Sequence, residues 1–240
     1  MDIAVSVDPM AAKPQDVEGM NVVLDLVNYI RLNWNRSLPL IATDLEDYKP
    51  ISIIVPTPVK LRHFERLLEL ANYIDIYSII MKPPRHLEVS SLLDAAAEYD
   101  VSISWIVGPG GDVNVGPFRR LKLTFNIPSF GSFRRLAEYT IPRLGLADYA
   151  IAYNVKGGEW GLPIMSGPID YLRIVRLYNA FGWDGFLILR YRAEYYDRYR
   201  SDLYALKSFI EAAGGSILDK ETIRLLNRLF KGVFEGFKKT

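Results

Sequence analysis

Ile51-Ser-Ile-Ile-Val55, Ile76-Tyr-Ser-Ile-Ile-Met81 and Val101-Ser-Ile-Ser-Trp-Ile-Val107 are three short apolar runs that follow one another along the chain. They are nearly continuous in Ile and Val instead of alternating apolar with polar, the pattern of strands covered on both faces, as parallel strands are. The segments between them change period. Leu61, Phe64, Leu67, Leu68 and Ala71 form one helical stripe, and Leu92, Leu93, Ala96 and Ala97 form another. Strand, helix, strand, helix, strand is therefore the unit from which the fold is read.

Working outward, the same kind of run recurs at Ile3–Val7, Leu38–Thr43, Leu121–Ile127, Tyr149–Val155 and Gly185–Leu189. Helical stripes recur at Ile169–Ala180 and Leu203–Ala213. Gly214-Gly215 supplies C-cap chemistry after the latter. A final helix is expected after Asp219 as N-cap, with Ile223, Leu226, Leu229, Phe230, Val233, Phe234 and Phe237 on one face. Eight strands alternating with helices over residues 1–240 predict a single-domain α/β fold, a TIM-barrel-like (β/α) barrel, with an open doubly wound sheet as the other arrangement. The stretches 108–118 and 156–168 are irregular and follow strands, so a barrel would place both on its ligand-binding end.

Composition narrows the function classes. With a net charge of +1 there is no global field for nucleic acid or membrane, but the charge is uneven: residues 1–50 are acidic and residues 117–145 basic. The absence of Cys excludes a thiol nucleophile and fits an intracellular, cytoplasmic protein; the excess of Arg over Lys fits a thermophile. No stretch approaches a membrane span, and the N-terminus has no signal-peptide pattern.

In a barrel the positions to inspect are the strand C-terminal ends: Asp8, Asp44, Thr57, Lys82, Gly108, Asn126, Asn154 with Lys156, and Arg190 with Arg192. Metal-dependent barrel chemistry needs His, Asp and Glu gathered there, yet His63 falls within a helix and His86 just before one. No G-x-S-x-G elbow is present, and Gly108-Pro-Gly-Gly111 reads as a turn. No catalytic residue, metal site or cofactor is expected. Asp8 and Asp44 fit turn or cap roles better than acid–base work. The remaining groups are basic or neutral and suit an anion: Lys82, Lys156 and Arg190, with Asp8 as the one carboxylate candidate.

The most distinctive segment is Arg190-Tyr-Arg-Ala-Glu-Tyr-Tyr-Asp-Arg-Tyr-Arg200. Guanidinium groups pair with phosphates and tyrosines stack on unpaired bases, so Arg190, Arg192, Arg198 and Arg200 are candidate RNA contacts. The same residues also fit a strand exit whose arginines pair with Glu194 and Asp197 while the rings cover the barrel rim. Arg119, Arg120, Lys122, Arg134 and Arg135 form a second basic cluster, which would join the first only if the fold brings the two together.

In collinear blocks the chain resembles the thirty-kilodalton protein subunit of archaeal and eukaryotic ribonuclease P. These blocks are Ile51-Ser-Ile-Ile-Val-Pro-Thr-Pro58, Tyr73-Ile-Asp-Ile-Tyr-Ser-Ile-Ile80, Leu87–Ala97 with Val101–Ile106, and Gly185-Phe-Leu-Ile-Leu-Arg-Tyr-Arg-Ala-Glu194 with Tyr196–Leu203. That resemblance implies a barrel related to polymerase-and-histidinol-phosphatase domains and a non-catalytic role in processing the 5' end of tRNA. Its partners would be the catalytic RNA and a small protein subunit, and its phosphate contacts would include Arg119, Arg120 and Lys122. From Tyr149 to Leu189 the chain is also similar to sugar-isomerase barrels, with Asn126, Asn154 and Arg190 at the metal-ligand positions. That second resemblance implies an enzyme or sensor for a small phosphorylated or otherwise anionic ligand.

Overall fold

The computed structural model describes residues 1–110, 120–212, 218, 220 and 222–228. Eight parallel strands close into one barrel: β1 (Asp2–Val7), β2 (Asn21–Asp25), β3 (Ser52–Ile54), β4 (Ser78–Met81), β5 (Ser102–Val107), β6 (Leu121–Asn126), β7 (Ala147–Ala152) and, after an antiparallel hairpin of β8 (Asn154–Lys156) and β9 (Glu159–Leu162), β10 (Phe186–Leu189). The ring runs β1-β10-β7-β6-β5-β4-β3-β2, and β2 pairs with β1 to complete it. The helices are α1 (Val27–Asn33), α2 (Leu38–Leu45), α3 (Leu61–Tyr73), α4 (Val89–Glu98), α5 (Phe133–Thr140), α6 (Tyr171–Ala180) and α7 (Tyr199–Ala212). None of the described helices is long and apolar enough to cross a membrane.

Strand alternation separates two cores. Odd positions such as Ile3, Val5, Ile53, Ile79, Ile103 and Leu187 face the helices. Ala4, Val23, Ile54, Ile80, Tyr149 and Ile188 form a separate cluster that fills the barrel interior. Inside it Ser104 and Thr124, fully buried, satisfy each other at 2.7 Å. The near-continuous apolar runs are thus explained: both faces of each strand are buried, one by helices and one by the ring itself.

The expected strand at Leu38–Thr43 is instead the helix α2, and the second strand is Asn21–Asp25. Pro39 at the first turn is compatible with a helix start, and burial of Ile41, Ala42 and Leu45 follows a helical spacing that a strand would not produce. Asp44 consequently leaves the strand ends. It lies in α2, where it accepts from Arg36 at 2.6 Å, and that guanidinium holds its carboxyl below the usual carboxylate range. The expected run Tyr149–Val155 divides into β7 and β8, and 156–168 holds β9 and a 3-10 turn in place of an irregular loop. Gly214, Gly215, Asp219, residues 111–118 of the earlier loop and Leu229 onward lie outside the described residues.

The α2 assignment has a direct test. Ile41→Ala, at a buried position, should cost about 2–4 kcal/mol of unfolding free energy in a denaturant titration, whereas Leu40→Ala, on the open face, should cost under about 0.5 kcal/mol. A strand of this barrel, covered on both faces, would bury both side chains and make the two costs comparable.

Candidate anion site at the barrel mouth

Because all eight barrel strands are parallel, their C-terminal ends form one mouth. The interior parity of Ala4, Val23, Ile80, Thr124 and Ile188 continues to Ser6, Asp25, Lys82, Asn126 and Arg190 in the layer that faces it. Asp25 belongs to the strand that sequence reasoning missed. Its Oδ2 accepts from both Nε (2.9 Å) and Nη2 (2.6 Å) of Arg190, with the two side chains 19% and 24% exposed. This pair spans β1, which lies between β2 and β10. Asn126 and Lys82 stand across from it: in the closed order β6 is four strands from β2, and β4 is four strands from β10.

Three tyrosines from the Arg/Tyr-rich segment support the exit of Arg190. Tyr191 stacks on Tyr199 at 4.8 Å and Tyr196 on Tyr199 at 5.1 Å, with planes 19° and 23° apart. Each hydroxyl is pinned. Tyr191 donates to Asp202 (2.8 Å) and accepts from the N–H of Ile164 (3.1 Å); Tyr196 accepts from the N–H of Asp8 (3.0 Å); Tyr199 donates to the carbonyl of Ser6. Burial pushes the Tyr191 and Tyr199 phenols well up, and Asp202 adds to the effect on Tyr191. Tyr196 is raised too, by burial first and then by the nearby Asp8 and Asp25 carboxylates. The rings are therefore rim structure, and the base-stacking role expected of them is not available to Tyr191 or Tyr199.

The nine candidate anion contacts do not form one face. Arg120 and Lys122 lie at the N-terminal end of β6, opposite the mouth, where they pair with Asp100 (2.8 Å) and Asp148 (3.7 Å). The fold therefore keeps Arg120 and Lys122 at the opposite end of the barrel from Arg190 and does not join the two basic segments there. Arg119 lies outside the described residues. Arg192 pairs with Glu194 at 2.6 Å and Glu159 at 3.8 Å, and its N–H donates to the carbonyl of Gly161, so it ties the β8–β9 hairpin to the strand exit. Gly161 has φ +72°, and a Cβ there would come within 2.8 Å of the Arg192 side chain, so glycine permits this approach. Asn154 is fully buried; its amide donates to the carbonyl of Ile164 and accepts from the N–H of Ile169, a structural pin and not a ligand contact. Lys82 and Lys156 are exposed, as are Arg198 and Arg200 on the rim. Asp8 closes a turn by accepting from the N–H of Met10, the role expected for it.

Two buried polar atoms in the interior-facing layer have no hydrogen-bond partner among the described residues: Asn126 Oδ1 and Ser6 Oγ. Ser6 sits one step beyond the Val5–Leu189 pairing, beside Arg190. Among the described residues no three His, Cys, Asp or Glu gather to hold a metal, and the two His keep the helical and pre-helical positions read from the sequence. The mouth thus carries a fixed guanidinium and an exposed lysine above two buried polar atoms, a set weighted towards a polar anion.

No family model and no curated protein matches the chain. Solved structures do resemble it. A xylose isomerase domain protein from Planctomyces limnophilus aligns at TM-score 0.64 and 11% identity, over 88% of this chain and 97% of its own. A Thermus thermophilus protein soaked with ZnCl2 aligns at TM-score 0.61 and 14% identity, over 90% and 99%. An L-ribulose 3-epimerase aligns at TM-score 0.57 and 12% identity, over 89% and 96%. This chain has the fold of xylose isomerase-like TIM barrels. The donor set that would match a bound zinc is not gathered among its described residues.

The tyrosine stack makes the rim sensitive to alkali. A phenol whose folded pKa lies above its unfolded value near 10 contributes stability that is fully present below about pH 10 and lost as pH rises beyond it. Alkaline titration should show the loss of near-ultraviolet circular dichroism coinciding with phenolate absorbance for this group; freely titrating phenols in an intact fold would contradict the packing described.

Proposed function

We propose that the mouth of the barrel binds a small hydroxylated anion, of the sugar-phosphate or sugar-acid kind, with Arg190 as its anchor. The observation that carries this reading is the state of Arg190. Its Nε and Nη2 are fixed on one oxygen of Asp25, while Nη1 carries no hydrogen bond among the described residues. A guanidinium held in one orientation loses little further freedom when it grips a carboxylate or phosphate. The orphan Oδ1 of Asn126 and Oγ of Ser6 suit ligand hydroxyls, since buried polar atoms are normally satisfied. Lys82, on the strand four places round the ring from that of Arg190, adds a second positive charge to the same end of the barrel.

A carbohydrate-type ligand accords with the barrels that this one resembles, an epimerase of L-ribulose among them. Calorimetric titration with ribose phosphate, xylulose phosphate and gluconate tests the reading. At least one should bind, and Arg190→Ala should weaken it by about tenfold or more, with Arg190→Lys intermediate and Arg120→Ala without effect. Binding of none of the three, or equal binding by Arg190→Ala, would sink it. The ribonuclease P expectation draws on the sequence blocks and on the exposed Arg198 and Arg200. Its own test is a band shift with single-stranded RNA at low salt, lost in R198E/R200E.

A further inference from the structure

The connections β2–β3, β3–β4, β4–β5 and β6–β7 each carry an α-helix, as a parallel crossover normally does. The connection from β1 to β2, residues 8–20, carries only the four-residue 3-10 helix Pro14–Val17. Where this short connection meets the segment leading into α7 there is a cavity of about 430 Å³, within the range of ligand pockets. One wall is the connection itself, with Gln15 and Asp16 as its polar groups. The other is the 3-10 turn Ala193–Arg198 and the first turn of α7, with Tyr196, Asp197 and Arg200.

Both walls are fixed. The Tyr48 hydroxyl donates to the carbonyl of Ala12. Asp16 Oδ2 accepts from the N–H of Lys13 at 2.8 Å, and its Oδ1 has no hydrogen bond among the described residues. On the other side Tyr196 is held by the N–H of Asp8 (3.0 Å) and by its stack on Tyr199. The apolar part of the lining is small in bulk: Ala11, Ala12, Val17 and Ala193.

Asp197 and Arg200 are three residues apart where the 3-10 turn runs into α7, a spacing that usually lets opposite charges pair. Here both are exposed, and neither side chain is ion-paired or hydrogen-bonded among the described residues. One wall thus offers an unpaired cation and an unpaired anion, and the other a carboxylate with an oxygen to spare. Burial pushes the Tyr48 phenol up, and the Asp16 and Asp8 carboxylates add to the effect, as uncompensated negative charge on that wall would. Two carboxylates against one guanidinium suit a ligand of net positive charge that also carries an anionic group.

We infer that this cavity binds a basic α-amino acid, of the arginine or lysine kind, at a site separate from the barrel mouth. Arg200 takes the α-carboxylate, Asp197 the α-ammonium and Asp16 the cationic end of the side chain, whose methylenes lie along Ala11, Ala12 and Val17. The charged groups are open to solvent, so binding weakens with salt.

Calorimetric titration of the full chain with L-arginine, L-lysine, L-leucine and agmatine, which is arginine without its carboxylate, tests this. L-arginine or L-lysine should bind at low salt, several-fold more tightly than L-leucine or agmatine. Arg200→Ala should keep the melting temperature, since that side chain has no partner to lose. It should weaken L-arginine by about tenfold and leave agmatine unchanged. Arg120→Ala, the same change of charge at the barrel base, should bind L-arginine as the parent does. These ligands are not those of the mouth, so either reading can fail while the other stands. Absence of L-arginine and L-lysine binding, or unchanged L-arginine affinity in Arg200→Ala, would overturn the site. Agmatine bound as tightly as L-arginine would overturn it in favour of a polyamine. L-leucine bound as tightly would contradict the choice of a basic side chain.

Discussion

Arg190 and Asp25 face each other over the exit of β1, and their ion pair is the contact on which the mouth of the barrel depends. Both groups are largely withdrawn from water, so neither is well solvated without the other. Removing one would leave a poorly solvated charge at the point where β2, β1 and β10 leave the ring. The pair thus does two things at once. It fixes the spacing of three strand ends, and it holds a guanidinium in a single orientation with donors to spare.

The tyrosine stack supplies the second constraint. Segments rich in Arg and Tyr often make nucleic-acid surfaces, because rings and guanidinium groups both stack on bases. Here the hydroxyls of Tyr191, Tyr196 and Tyr199 reach backbone or carboxylate partners on β1, α7 and the strand exit, and the rings pack on one another. The tyrosines of a segment whose composition suggests an RNA face lock the entry of α7 to the first strand, while its Arg198 and Arg200 stay exposed. Arg192 is diverted in a similar way, to Glu194 and the β8–β9 hairpin.

Much of the architecture was legible from Ile/Val runs alternating with helical stripes, because a parallel ring buries both faces of each strand. The count of eight strands was right, but the second was misplaced. Asn21-Val-Val-Leu-Asp25 has only three apolar residues between polar ends, while Leu38-Pro-Leu-Ile-Ala has a longer apolar run. Pro39 and the 41, 42, 45 spacing were the available signals for a helix. Losing that strand also lost Asp25, so the partner of Arg190 could not be read from sequence. Arg190 and Lys82 were found from the strand-end rule alone. Arg120 and Lys122 already stood at the start of the expected Leu121–Ile127 strand, and the closed ring places that end opposite the mouth.

What emerges is a closed eight-stranded (β/α) barrel whose mouth is organised by a salt-bridged arginine, with tyrosines as its rim. Arginine side-chain NMR of the free and titrated protein probes that claim at its centre. The Nε–H signal of Arg190 should be protected from exchange by Asp25 in the free protein and should shift on addition of ribose phosphate, xylulose phosphate or gluconate. An Arg190 Nε–H that exchanges like that of free arginine, and stays unmoved by all three, would contradict the account.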